Sequence, residues 1–109
     1  RLTFAQAATG SSGIETLLPL SLELYHNGSV KLETIIQALT SNPAKILKIN
    51  KGNLTIGNDA DFCIVDINKP WIVKKEELIS KSKNTSIENK KLQGKVTNTF
   101  VKGVELFKL

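Results

Sequence analysis

The hydrophobic period of the chain changes at Gly52, and that break constrains the fold more than any other feature. Before it, apolar residues recur at helical spacing. Leu32, Ile35, Ile36 and Leu39 stand at i, i+3, i+4 and i+7, the pattern of one buried helix face. Leu17 through Tyr25 forms a second, wider apolar face, and Thr16 is the expected N-cap because it leaves Pro19 in the first turn, where a missing N–H costs little. A start at Ser12 with Glu15 as a capping box would put Pro19 deeper in the helix. Asn27-Gly28 ends this helix. Asn42 as N-cap and Pro43 at the first helical position predict a short third helix over 44–48. After Gly52, short apolar runs alternate with turn residues. Phe62–Val65 and Pro70–Val73 read as two short strands, 74–89 as irregular, and Val96–Val101 and Val104–Phe107 as a hairpin turning at Lys102-Gly103. The expectation is helices first and a β-rich second half.

Composition narrows the function classes. At 109 residues the chain makes at most one modest core. No apolar run approaches the roughly 18–20 residues that span a bilayer, so no membrane role is expected. There is no Met and the first residue is Arg1, which suggests a processed product or a piece of a longer chain. A single Cys excludes an internal disulfide, and one His with one Cys cannot supply the four ligands of a self-contained His/Cys metal site. The net charge of +5 is uneven: residues 1–60 carry five basic and four acidic groups, residues 61–109 ten and six. With almost no Arg and few aromatics, this reads as a solvated lysine surface and no nucleic-acid partner is expected.

Local candidates for chemistry are few. Thr9-Gly10-Ser11-Ser12-Gly13 precedes a helix, and the backbone N–H groups of such a turn can hold an anion or a carbonyl. A structural turn satisfies the same spacing, and the Walker and dinucleotide patterns are both absent. His26 reads as a helix-end residue, Cys63 as a small buried hydrophobe in a strand, and Asp59 and Asp61 as turn formers. No catalytic residue and no metal ligand is assigned within these residues.

Two longer patterns carry a family resemblance. Gly52-x-Leu54-x-x-Gly57-x-x-Ala60-Asp61, followed by Phe62-Cys63-Ile64-Val65-Asp66 and preceded by Asn42-Pro43-Ala44, resembles a run near the C-terminus of the amidohydrolase superfamily. Gly10-Ser11-Ser12-Gly13-Ile14-Glu15-Thr16-Leu17-Leu18-Pro19-Leu20 and Ser80-Lys81-Ser82-Lys83-Asn84-Thr85 resemble two runs of the dihydroorotases, in order and across essentially the whole chain. Ser86-Ile87 stands where that family has Pro-Phe, and Ala8-Thr9 where Pro-Phe is common before the glycine.

The resemblance implies an α/β fold, comprising the C-terminal end of a (β/α)8 metal-dependent hydrolase barrel and part of a small β-sandwich-like domain. Residues 1–51 would be the last loop and helices of the barrel, and 52–109 the C-terminal part of the small domain. It implies the reversible cyclisation of N-carbamoyl-L-aspartate to dihydroorotate in pyrimidine synthesis, with zinc polarising the substrate carbonyl. The family's zinc ligands (histidines, a carboxylated lysine and an aspartate) and its acid/base aspartate have no counterpart here, so the piece alone is expected to be inactive. Residue by residue, the positions whose backbone contacts dihydroorotate fall on Thr9 and Gly10. The implied partners are the small-molecule substrate, the upstream part of the same enzyme, a second copy in a homodimer and aspartate carbamoyltransferase, in a cytoplasmic setting. Three other readings stand beside it: a hydantoinase- or allantoinase-type cyclic amidohydrolase, a catalytically dead homologue serving as a structural partner, and a free-standing basic binding module.

Overall fold

The structure, a computed structural model, describes residues 2–109. Three helices come first: α1 (Leu17–His26), α2 (Leu32–Leu39) and α3 (Ser41–Leu47). Three strands follow: β1 (Phe62–Ile72), β2 (Lys91–Val101) and β3 (Val104–Lys108), paired antiparallel in the order β1-β2-β3. Short 3-10 turns occupy Phe4–Gln6, Ile14–Thr16 and Lys75–Glu77. None of the described helices is long and apolar enough to cross a membrane.

The helices form where the spacing places them, but their starts differ in detail. Thr16 does sit at the cap of α1, yet its hydroxyl donates back to the Gly13 carbonyl at 3.3 Å and makes no cap bond. Pro19 is the third residue of α1, within the turn whose N–H groups have no helical acceptor. Helix α3 begins at Ser41, so Asn42 is inside it and Thr40 takes the cap position. Pro43 still lies in the first turn, and no helical bond is lost.

The two expected short strands are one. β1 runs through Pro70, and its register against β2 slips between Ile64 and Val65 and again between Asp66 and Pro70. The second slip leaves the three residues 67–69 out of the ladder, a bulge after which pairing resumes at Pro70↔Gln93. The hairpin turns at Lys102 and Gly103 as expected, both with positive φ (49° and 78°), the type I′ geometry that matches strand twist.

Cys63 corrects the sequence reading: it is exposed. The pattern of a buried run presumes cover on both faces, and this sheet is a single layer with a helix on one side. Helix α1 supplies that cover. Leu22 is fully buried and lies over Gly94 of β2, where a Cβ would come within 2.5 Å of Leu22 Cδ1. His26 Nε2 meets the Ile67 carbonyl at 2.9 Å, using the backbone that the second slip displaces. Trp71 Nε1 donates to the Gly94 carbonyl at 2.9 Å, and Lys95 Nζ stands 4.6 Å from the centre of the Trp71 ring. The buried apolar set among the described residues is small: Leu22, Ile35, Ala44, Val73, Leu78 and Leu92.

Asp61 ties the entry of β1 to the hairpin turn. Its carboxylate accepts the Lys102 N–H at 2.8 Å and pairs with Lys51, which also reaches Asp59 at 3.4 Å. Lys51 first, and the Lys102 N–H second, hold the Asp61 carboxyl below its ordinary value. A depressed carboxylate stabilises the fold above its unfolded pKa of about 3.9, and that stabilisation is lost as the pH falls through the lower folded value. Asp61→Asn is therefore expected to lower the thermal midpoint of the full-length protein at neutral pH. The gap to the parent should close on acidification below about pH 3.9. A gap that persists unchanged in acid would remove the ion pair as its cause.

Candidate functional site

The loop before α1 is held by a second loop 74 residues away in sequence. Gly10 takes φ 74°, a left-handed conformation that L side chains adopt at a cost, and open space surrounds the position where a Cβ would be. Backbone conformation alone, with no crowding, therefore favours glycine there. The Gly10 carbonyl accepts the Asn84 side-chain amide at 2.6 Å. Two residues on, the Ser12 N–H donates to the Asn84 carbonyl at 2.7 Å. Ser12 Oγ donates to the Ser82 carbonyl at 2.9 Å, and Ser11 Oγ accepts the Ser86 N–H at 3.0 Å.

Glu15 anchors the base of this arrangement. Its carboxylate accepts the N–H groups of Ile79 and Ser80, each at 3.1 Å. The residue considered for a local capping box thus serves a long-range contact instead. Lys83 Nζ donates to the Leu78 carbonyl and closes the second loop upon itself. Between the two loops lies a pocket of about 210 Å³ lined by Ser11, Ser12, Gly13, Ile14, Glu15, Leu78 and Ser80.

Thr9 and Gly10, the two positions singled out for substrate contact, are both exposed and directly precede the residues that line this pocket. His26 is remote from them in role: its Nε2 is engaged with Ile67 on the sheet. Cys63 lies in β1, and Asp59 and Asp61 serve the Lys51 and Lys102 contacts. Among the described residues, no three His, Cys, Asp or Glu side chains are grouped to hold a metal ion. The arrangement can present a fixed backbone edge to a polar ligand. It contains neither a nucleophile with its base nor a metal-ligand set.

Sequence reading missed Asn84, Ser82 and Ser86 as partners of the 10–12 loop. Small polar residues in two irregular segments carry no period that would pair them. The one signal was that both runs belonged to the same family resemblance.

The chain matches the family model described as the amidohydrolase family over residues 4–106. It is 45% identical over 97 residues to the dihydroorotase of Ehrlichia canis, covering 89% of this chain and 22% of that protein. It is 42% identical over 102 residues to the dihydroorotase of Aquifex aeolicus, covering 94% and 24%. Among solved structures it superposes on the L-hydantoinase (dihydropyrimidinase) of Arthrobacter aurescens with a TM-score of 0.87 at 30% identity, covering 94% of this chain and 23% of that one. The chain therefore spans about a quarter of the length of the proteins it matches.

Proposed function

The chain belongs to the amidohydrolase family, and from that premise we propose that it is the C-terminal part of a dihydroorotase. The observation that carries this reading is the 45% identity to a dihydroorotase over 89% of the chain. In this reading the full-length enzyme closes N-carbamoyl-L-aspartate to dihydroorotate and opens it again. Residues 1–51 belong with its barrel, and residues 52–109 complete a small β-domain with strands from elsewhere in the polypeptide.

The shape of the chain supports a role as part of a larger body. Its radius of gyration is 16.1 Å, against roughly 13 Å for a compact domain of this length. Leu54, Ile56, Leu106 and Ile46 are all largely exposed, as expected of faces that pack against further chain.

The contribution of this chain to the chemistry is binding and orientation. Gly10, with Thr9 beside it, presents its backbone to the substrate. The absence of a side chain at Gly10 leaves its peptide open to close approach by the substrate ring. The described residues do not fit the family's metal: His26 Nε2 is committed to Ile67, and no ligand cluster exists. The metal belongs to another part of the polypeptide. Zinc as its identity, a homodimer or aspartate carbamoyltransferase as partner, and a cytoplasmic setting rest on the family likeness alone.

The L-hydantoinase superposition supports a second reading, a hydantoinase-type enzyme acting on a ring without the carboxylate. The two separate in a kinetic comparison on the full-length protein. Dihydroorotate is expected to exceed hydantoin in kcat/KM by at least about 100-fold, because a site built around a carboxylate leaves polar groups unpaired with the other ring. A preference for hydantoin would replace the first reading with the second.

A further inference from the structure

The Gly10–Gly13 loop does not hold itself. No regular secondary structure covers residues 10–13, and the bonds that fix the loop come from the segment 79–86. We propose that the Ser80–Ser86 segment is a strap that presets the Gly10–Ser11 peptide for substrate, with Asn84 as its positioning residue. The proposal rests on the assignment of Gly10 to the substrate made above.

Asn84 grips the loop from both of its polar ends. Its side-chain amide donates to the Gly10 carbonyl at 2.6 Å, and its own carbonyl accepts the Ser12 N–H at 2.7 Å. Two bonds to residues 10 and 12 fix the peptide planes between them. The Gly10 carbonyl is thereby committed inward, while the Gly10 N–H has no hydrogen-bond acceptor among the described residues. That N–H is the group left for a ligand oxygen. A glycine at positive φ has many alternative conformations, so an unstrapped loop would lose freedom on each binding event, and the strap removes that loss in advance.

The amide chemistry is specific. An aspartate at 84 has the same shape but would set an acceptor oxygen against the Gly10 carbonyl. Asn84 is exposed, so its exchange leaves no cavity. The Glu15 anchor on Ile79 and Ser80, and the Ser12–Ser82 bond, remain in such a variant and keep the two loops together.

The test is steady-state kinetics with dihydroorotate on the full-length enzyme carrying Gly10→Ala, Asn84→Asp or Asn84→Gln, with thermal midpoints measured alongside. Asn84→Asp is expected to raise KM roughly 3–10-fold, the loss of one net hydrogen bond, with kcat changed by less than about two-fold and an unmoved midpoint. Asn84→Gln, which keeps the donor, should recover part of the loss. Gly10→Ala should raise KM as well. If Gly10→Ala raises KM and Asn84→Asp does not, the strap is overturned while the substrate assignment stands. If neither raises KM, the assignment of Gly10 itself fails and takes the strap with it. A fall in kcat and midpoint together, at constant KM, would reduce Asn84 to a structural role and overturn the proposal. Should Asn84→Asp fail to fold, Ser12→Ala, which removes the Ser12 Oγ bonds to the Ser82 carbonyl and to Ser80 Oγ, is read by the same criteria.

Discussion

Gly94→Ala in the full-length protein is expected to cost about 2–4 kcal/mol of stability, from backbone strain and overpacking together. Gly94 takes φ 118°, where an L side chain is strained. The new Cβ would stand 2.5 Å from Leu22 Cδ1 and 3.5 Å from the Ile67 carbonyl oxygen. A side-chain tip could yield if it had room, but Leu22 is fully buried and cannot swing into solvent. Relief therefore requires α1 to lift from β2, which would also strain the His26 contact to Ile67. Because α1 follows directly from the 10–13 loop and the Glu15 anchor, its displacement would carry the loop with it. Denaturant unfolding measures the loss. A double variant with Leu22→Ala separates the causes: the contact component should vanish and the backbone component remain, giving a non-additive pair. A loss under about 1 kcal/mol in Gly94→Ala would show that the sheet absorbs the methyl group and that the close approach is not a constraint.

Much of the local structure was legible in the sequence. The spacing of Leu32, Ile35, Ile36 and Leu39 places α2, and Lys102-Gly103 between apolar runs places the hairpin. Both rest on interactions between near neighbours, which a sequence displays directly. The Cys63 reading failed for the opposite reason. An apolar run shows that a strand can be covered on two faces, not that this chain supplies both covers. β1 was divided in two because Pro70 and the unpaired residues before it interrupt the alternation, although the strand resumes its pairing at Pro70↔Gln93. The fold class came from the residue pattern of Gly52–Asp66 through its resemblance, and the family match over residues 4–106 bears it out.

The site was only half legible. The loop at Gly10 was visible as glycines before a helix, and its positive φ agrees with that reading. The partner loop was visible only as a family run. Nothing in Ser80–Ser86 announces a contact with residues 10–12, because the pairing uses single serine hydroxyls, one asparagine and backbone groups. Glu15 illustrates the difficulty: its position suits a local capping box, yet the observed partners lie 64 and 65 residues away.

The proposed enzyme divides its labour: this chain supplies the substrate loop and scaffold, and the metal chemistry resides elsewhere in the same polypeptide. This division is tested most directly by measuring dihydroorotate turnover in the 109-residue chain, with added zinc, and in the same chain co-expressed with the upstream polypeptide as two separate pieces. The chain alone is expected to show no turnover above the uncatalysed rate, because no ligand cluster exists among the described residues. The co-purified pair is expected to turn over dihydroorotate. Turnover by the isolated chain would contradict the placement of the metal site, and a stable pair that does not act on dihydroorotate would contradict the proposed reaction.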